Sequence, residues 1–441
     1  MKKTIALLLI FAFLLTAFSS CAAPAPETAK SAVSAGTEAK QETKGAATAD
    51  EPAPVRILKN ALTERPNYVL HEGASADEMR ALAIRAMREA LSVNWYIDRI
   101  LEYTYTSPNT GDTVSFRLFP GQIYAGVPYS SSYTGLFQML EYYEFGTGRL
   151  KVPNEQTFAE LVGNDCAGGI LWAYAACVPG FDPASDGYGR RSENMVAVGP
   201  YRLPAYEEEK STVKICQANG EQTMYESYAM LCPADTVFTG GNTGIAGHYM
   251  MLLEKAKVVR NPDGTIDGKQ STVVIQDQRR GHRSTDSKYV VEEDGEKHHY
   301  SGGWDTEHSF EYLWENSYIP VTCEEFLGRR PYAMPSVSLD REVSSLEDLK
   351  EATLKSQYLI CAFHIRLLDE NGEEVYFRSK PTGYSLLTAR KLKNFPLCDL
   401  LISPVALSRA TGLSGVYTLA IDCIDATGTG FDAVSFPITL P

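Results

Sequence analysis

The sequence predicts an α+β protein in which a domain of helices followed by strands precedes a small C-terminal β-sandwich. Apolar residues recur at helical spacing after Ser75, which has the capping-box partner Glu78 three residues later, and again after Asp165. Short strand-like runs separated by Gly- and Asp-rich turns dominate from about residue 236. Beyond residue 336, several further strand-like runs joined by turns are typical of a sandwich.

The first 21 residues predict export. Two lysines precede an apolar run over residues 5–15, which is too short to span a bilayer but suits the core of a signal peptide. Small residues then lead to Cys21. Residues 1–21 therefore resemble a lipoprotein signal peptide with a bacterial lipobox, which implies that Cys21 is the site of lipid attachment. The alternative is a plain secretory signal cleaved near Ala23.

Composition divides the rest of the chain. Residues 22–55 contain almost no large apolar side chains, so they predict a disordered tether. They are followed by a predicted hydrolase domain over residues 56–335 and a β-sandwich over residues 336–441. The formal net charge of −14 argues against nucleic acid as a partner. The cysteines are too sparse for a disulfide scaffold and contain no CxxC pair, so we expect neither a metal nor an organic cofactor.

Cys166 is the candidate nucleophile. It lies in the segment 164–169, Asn-Asp-Cys-Ala-Gly-Gly, at the start of a predicted helix. Asp165 is suited to cap that helix, and a helix N-terminus favours the thiolate form of a cysteine. The small residues that follow allow close approach of a substrate. The alternative is that Cys166 is an ordinary buried thiol.

His248 is the candidate general base, because it follows a glycine at the start of a predicted strand and is thereby exposed for proton transfer. The alternative is a surface histidine at a strand edge. On the next predicted strand, Gln276 is the preferred residue to orient the imidazole ring by hydrogen bonding. Asp277 competes for this role, because side chains alternate along a strand and one of the two faces the site.

A fourth candidate, Tyr129, lies upstream in the segment 126–129, Gly-Val-Pro-Tyr, where a proline rigidifies the loop. Its hydroxyl would lie near the nucleophile, or the ring would simply pack the loop. Together the order Gly-x-Pro-Tyr, Asp-Cys-small-Gly, Leu-x-Pro-x-Asp-x-x-Phe and Gly-His is similar to the NlpC-like cell-wall cysteine peptidases. The similarity covers roughly residues 116–330.

This resemblance implies a papain-like fold, cleavage of an amide by a Cys-His-polar triad, and the site residues Cys166, His248, Gln276 and Tyr129. The sequence departs from the family pattern at Ala167, where serine is usual, and in three serines after the Pro-Tyr pair, where glycines are usual. The C-terminal sandwich is expected to be immunoglobulin-like.

Export and the resemblance together imply a peptidoglycan or peptide substrate at the outer face of the bacterial cell membrane, to which the lipid on Cys21 would anchor the chain. We expect Asp165, Trp304 and Arg279 to contribute to substrate binding, although a solvated charge is the alternative for Arg279. A polar insertion over residues 181–226 is expected to shape the groove. The competing functions are an amidase or transferase with a non-wall substrate, and a catalytically inactive binding module.

Overall fold

The structure is a computed structural model that describes residues 57–58, 62–106, 113–153, 156–157, 159–179, 181, 195–241, 247–278, 289–292, 295–382 and 392–441. Four sequence predictions lie outside the described residues: the signal peptide, lipid attachment at Cys21, the tether over residues 22–55 and the substrate-binding role of Arg279. Among the described residues, no helix combines the length and the apolar character that crossing a bilayer requires.

Helices and strands alternate irregularly in the part of the chain before residue 336, so the predicted α+β class is confirmed. The helices are α1 (Ala76–Ser92), α2 (Leu136–Leu140), α3 (Cys166–Ala175), α4 (Thr212–Asn219), α5 (Glu221–Tyr228) and α6 (Phe310–Glu315). The strands are β1 (Asn94–Trp95), β2 (Leu101–Thr106), β3 (Thr113–Leu118), β4 (Ile123–Ala125), β5 (Tyr143–Glu144), β6 (Arg149–Leu150), β7 (Val196–Ala197), β8 (Thr236–Thr239), β9 (His248–Leu252), β10 (Thr272–Gln278), β11 (Tyr289–Val291), β12 (Lys297–Tyr300), β13 (Gly302–Ser309) and β14 (Ile319–Thr322).

The predicted first helix is α1, and it begins with the expected capping box. The Ser75 side chain accepts a hydrogen bond from the Glu78 backbone N–H, and Glu78 Oε2 accepts one from the Ser75 N–H at 2.8 Å. These two bonds satisfy backbone donors that would otherwise lack partners at the helix start. Arg80 on the same helix is buried and donates to Asp235 Oδ1 at 2.7 Å. This ion pair fixes α1 to the turn that leads into β8.

A six-stranded antiparallel sheet is the platform of this part of the chain. Its strand order is β13-β10-β9-β8-β14-β7. Helix α3 packs against β9 and β10, and helix α1 packs against α3. The helix that begins with the candidate nucleophile therefore rests on the two strands that carry His248 and the two candidates for the third residue.

The described residues of the 181–226 segment do not behave as a polar insertion, which corrects that expectation. Strand β7 adds to the edge of the six-stranded sheet. Helices α4 and α5 bury Ile215, Met224 and Tyr228 in the main hydrophobic core. The polar residues occupy the outer faces of two short amphipathic helices, so the segment is part of the fold.

Beyond residue 336, two further antiparallel sheets share one hydrophobic cluster. The elements are β15 (Val337–Leu339), α7 (Leu346–Glu351), β16 (Thr353–Ser356), β17 (Ile360–Leu368), β18 (Glu374–Pro381), β19 (Asn394–Pro396), a 3-10 helix (Leu397–Leu400), α8 (Pro404–Thr411), β20 (Gly415–Asp425) and β21 (Gly430–Leu440). The sheets have the orders β15-β16-β19 and β18-β17-β20-β21. Leu354 from one sheet and Phe363, Ile421 and Phe436 from the other belong to the shared cluster.

The core does not divide at the predicted boundary between residues 335 and 336. Tyr358, Leu359 and Cys361 belong to the same hydrophobic cluster as helix α1. The Tyr68 N–H donates to the Thr427 carbonyl oxygen at 2.8 Å. The two parts of the chain are therefore joined by buried apolar contacts and by backbone hydrogen bonds.

Candidate active site

Cys166 is the first residue of helix α3, as the sequence predicts for a nucleophile. Asp165 is the N-cap residue, and its Oδ1 accepts a hydrogen bond from the Gly168 N–H at 2.9 Å. A Cβ at Gly168 would lie 2.7 Å from the Asn164 Cβ, so the close turn before the helix requires glycine there. This turn points the first N–H groups of α3, with their partial positive charge, towards the position of the thiol.

The chain that enters α3 is fixed by a network of hydroxyl groups. Ser132 Oγ and Thr134 Oγ1 both donate to the Gly163 carbonyl oxygen, at 2.9 and 3.1 Å. The Gly163 N–H donates back to Thr134 Oγ1 at 2.6 Å. Ser130 Oγ extends the network to Ser132 Oγ at 3.1 Å. Ser130 and Ser132, which differ from the NlpC-like pattern, thus hold the segment before the nucleophile in place.

The Cys166 thiol contacts the residue that precedes the histidine in the chain. The Cys166 Sγ lies 3.9 Å from the carbonyl oxygen of Gly247. Cys166 is only 1% exposed. The sulfur is therefore almost completely covered by protein atoms.

Asp277, and not Gln276, contacts the imidazole ring of His248. His248 Nε2 lies 2.8 Å from Asp277 Oδ2, and the Asp277 side chain is 1% exposed. Because an ionised carboxylate only accepts hydrogen bonds, Nε2 carries the proton and Nδ1 is left as the basic nitrogen. This arrangement orients the ring and would stabilise the imidazolium ion.

The preferred assignment of Gln276 as the third residue is thereby corrected. Gln276 is fully buried, and its Nε2 approaches the Met251 Sδ at 3.8 Å instead of the imidazole ring. Successive side chains of a strand point to opposite faces, so when Asp277 faces the histidine its neighbour faces away.

The remaining predicted residues occupy different positions. Tyr129 is buried and forms a parallel bridge with Asn164, two residues before the nucleophile. The Asp165 carboxylate accepts hydrogen bonds from the Gly168 N–H and from Tyr133 Oη at 3.3 Å, and its predicted contribution to substrate binding stays a prediction. Trp304 lies half-buried on β13, next to Gly303, which pairs with Asp277.

Two residues at the site were missed by the sequence analysis. Gln278 is fully buried, and its Nε2 donates to the Val127 carbonyl oxygen at 2.8 Å and to the Asn164 carbonyl oxygen at 3.2 Å. It therefore fixes the Pro-Tyr loop and the entry to α3 against β10. Tyr133, with its hydroxyl on Asp165, is the second. Gln278 lies two residues after Gln276, so alternation places both side chains on the face of β10 that points away from the histidine.

In the part of the chain that the structure describes, no group of three or more His, Cys, Asp or Glu side chains is arranged to hold a metal ion. The described site combines a thiol next to the Gly247 carbonyl oxygen, a hydrogen-bonded imidazole and carboxylate, and the Tyr133 hydroxyl on Asp165. Such a set is suited to nucleophilic catalysis by proton transfer.

Comparison with known proteins gives no family. No family model matches the chain, and no curated protein matches it. Among solved structures, the chain is similar to the Endo-D glycoside hydrolase domain from Streptococcus pneumoniae R6, with 9% sequence identity and a TM-score of 0.12. The match covers 44% of this chain and 34% of that chain. A similarity at this level carries no argument about fold or activity.

Proposed function

We propose that this chain is an exported cysteine hydrolase that cleaves amide bonds, with Cys166 as nucleophile, His248 as general base and Asp277 as the residue that orients the base. The observation that carries the proposal is the hydrogen bond of 2.8 Å between His248 Nε2 and Asp277 Oδ2, because it leaves Nδ1 basic on the residue that follows Gly247, whose carbonyl oxygen lies 3.9 Å from the Cys166 Sγ. The proposal includes a papain-like fold for residues 56–335 and an immunoglobulin-like sandwich for residues 336–441.

In the proposed reaction, His248 Nδ1 takes the Cys166 proton and the thiolate attacks the amide carbonyl carbon. The backbone N–H of Cys166, at the start of the helix, stabilises the resulting oxyanion. The carbon–nitrogen bond then breaks, and the imidazolium ion of His248 gives its proton to the departing amine. Water attacks the thioester with His248 again as base, which releases the acid and restores the thiol.

Stem peptides of peptidoglycan are the proposed substrate. The support is the predicted signal peptide with lipid attachment at Cys21, together with the resemblance to the NlpC-like cell-wall peptidases. A lipid anchor and the tether predicted over residues 22–55 would keep the hydrolase at the outer face of the membrane, within reach of the wall.

The test is digestion of purified peptidoglycan by the wild-type protein, with mass spectrometry of the released fragments. We expect Cys166→Ala to abolish release. Cys232→Ala is the matched control, because Cys232 is a partly exposed thiol on the turn before β8 and should be dispensable. Release that survives Cys166→Ala would contradict the proposal.

One observation favours a second candidate function, an inactive binding module: the candidate nucleophile is almost completely buried. Alkylation of Cys166 distinguishes the two functions. An active hydrolase requires a thiol whose alkylation rate falls strongly in His248→Ala, whereas in a binding module the rate would be the same in both proteins. Histidine-dependent alkylation without release of wall fragments would indicate a hydrolase with a non-wall substrate.

A further inference from the structure

The residue before the nucleophile carries a carboxylate, which chain connectivity keeps near the reacting sulfur. Asp165 is 8% exposed, so water screens its carboxylate poorly. A carboxylate on the adjacent residue opposes formation of a thiolate, whereas the N-terminus of α3 favours it. The proposed function needs a thiolate near neutral pH, so the negative potential of Asp165 has to be reduced at the sulfur.

Each oxygen of this carboxylate accepts a hydrogen bond. Asp165 Oδ1 accepts a hydrogen bond from the Gly168 N–H at 2.9 Å, and Oδ2 accepts one from Tyr133 Oη at 3.3 Å. The Gly168 bond is the ordinary N-cap contact and would form in any helix that begins with Asp165. The Tyr133 bond is not part of a cap motif, since it comes from a loop more than thirty residues earlier in the chain.

Tyr133 is held for this contact by its own backbone. Its φ angle is 57°, in the left-handed region that residues other than glycine rarely adopt. Its carbonyl oxygen accepts a hydrogen bond from Trp172 Nε1 at 2.8 Å, and the ring is buried. The hydroxyl groups of the neighbouring residues Ser132 and Thr134 donate hydrogen bonds to the Gly163 carbonyl oxygen. Such strain persists only where surrounding contacts enforce it.

We propose that Tyr133 is a positioning residue for Cys166: by donating its hydroxyl to Asp165, it offsets the negative potential of the carboxylate at the sulfur. This inference rests on the proposed function. Other ionisable groups on neighbouring elements include His248 on β9, which is bonded to Asp277 on β10, and Tyr129, whose backbone bridges to Asn164. All of them are kept in the Tyr133, Asp165 and Tyr201 variants below.

The test measures the rate of Cys166 alkylation against pH in the full-length protein, with iodoacetamide and mass spectrometry of the Cys166 peptide. Accessibility scales the rate equally at every pH, so the midpoint of the profile reports the ionisation of the coupled Cys166–His248 pair. Tyr133→Phe is expected to raise the midpoint by about half a pH unit, because a dipole that opposes the charge is lost. Asp165→Asn is expected to lower it by about one unit, because the charge is lost and the cap is kept.

The double variant that combines Tyr133→Phe with Asp165→Asn gives the decisive result. With Asp165→Asn in place, Tyr133→Phe should no longer shift the midpoint, because there is no charge left to offset. An unchanged midpoint in Tyr133→Phe alone, or an equal shift in both backgrounds, would overturn the inference. Tyr201→Phe is the control, because it removes a buried hydroxyl that donates to the Pro320 carbonyl oxygen and should leave the midpoint in place.

Two further results keep the inference separate from the proposed function. If His248→Ala leaves the wild-type profile unchanged, the proposed function fails, whatever Tyr133 does. If Tyr133→Phe does not fold, fluorotyrosine incorporated at position 133 replaces it. Its more acidic hydroxyl is a stronger donor, so the midpoint should fall, and an unchanged midpoint would overturn the inference.

Discussion

Among the described residues, two histidine–carboxylate pairs with a buried carboxylate are similar in geometry and different in surroundings. His248 Nε2 lies 2.8 Å from Asp277 Oδ2, and His364 Nε2 lies 3.2 Å from Glu141 Oε2. The two carboxylate side chains are 1% and 2% exposed, and the two histidine side chains are 15% and 19% exposed. Geometry and burial alone would not tell the catalytic candidate from the structural pair.

The third group distinguishes them. The His248 pair lies next to Gly247, whose carbonyl oxygen contacts the Cys166 thiol, whereas in the other pair Glu141 also binds the guanidinium of Arg65. Burial lowers the pKa of His364, and the nearby positive charge of Arg65 lowers it further. A neutral His364 thus contacts the carboxylate of the Arg65–Glu141 ion pair and joins the two parts of the chain. The pair near the thiol is therefore the candidate for catalysis, whereas the pair that also contacts Arg65 has a structural role.

The largest expected effect concerns the first pair. Asp277→Asn should lower kcat by about 10²–10⁴-fold, because an amide at this position no longer fixes the proton on Nε2 or stabilises the imidazolium ion. Steady-state hydrolysis, or the rate of His248-dependent alkylation where the substrate is unidentified, measures the loss. Gln276→Met is the matched control on the same strand, since it keeps the volume beside Met251. A loss confined to Gln276→Met would reverse the assignment of the third residue.

Disruption of the His364–Glu141 pair should change the stability of the protein instead of its activity. Glu141→Ala leaves Arg65 and His364 without their shared buried partner, so the free energy of unfolding should fall by about 3 kcal/mol. Denaturant unfolding checks the loss, and the pH profile of Cys166 alkylation should keep its midpoint. Arg65→Met combined with Glu141→Leu is the control, because replacing both charges should recover most of the stability. A shift of the alkylation midpoint would show that the two pairs are coupled.

The smallest expected effect is at Asp425, close to the second pair along the contact between the two parts. Burial raises the pKa of Asp425 to about 6 from an unfolded value of 3.8. The protonated form is therefore favoured in the folded state, and this stability is complete below the unfolded pKa and is lost as the pH rises through the folded pKa. Asp425→Asn should be more stable than wild type by about 2 kcal/mol at pH 7.5, with little difference near pH 4.

Thermal unfolding at the two pH values measures this difference. The hydrogen bonds from Thr427 and Thr429 end on Asp425 Oδ1, which asparagine retains as a carbonyl oxygen. A wild-type protein that is the more stable of the two at pH 7.5 would show that these bonds outweigh the burial of the charge.

Local signals in the sequence were sufficient for some of these features. The capping box at Ser75 and the helix that begins at Cys166 depend on residues within one helical turn, so they could be predicted. The choice between Gln276 and Asp277 depends on which face of the six-stranded sheet each of the two side chains occupies. The sequence of a single strand does not contain that information. The contact between Tyr133 and Asp165 depends on a left-handed backbone at a tyrosine, for which the sequence gives no sign.

Parts of the hydrophobic core were difficult to predict from the sequence for a different reason. Helices α4 and α5 are short and rich in polar residues, and Gly220 separates them, so their few buried residues do not form a long periodic pattern. The pair of His364 with Glu141 joins residues 223 positions apart, and no local rule relates them. Contacts of this kind are set by tertiary packing.

The hydrophobic cluster that runs from α1 to Tyr358, Leu359 and Cys361 limits how this chain can be divided and recombined. A chain cut after residue 335 would lose side chains that complete its first core, and the separated remainder would expose them to water. A recombination that exchanged one part alone would leave two mismatched apolar surfaces. The two parts are therefore expected to be inherited together and to change by matched substitutions on both sides of their contact.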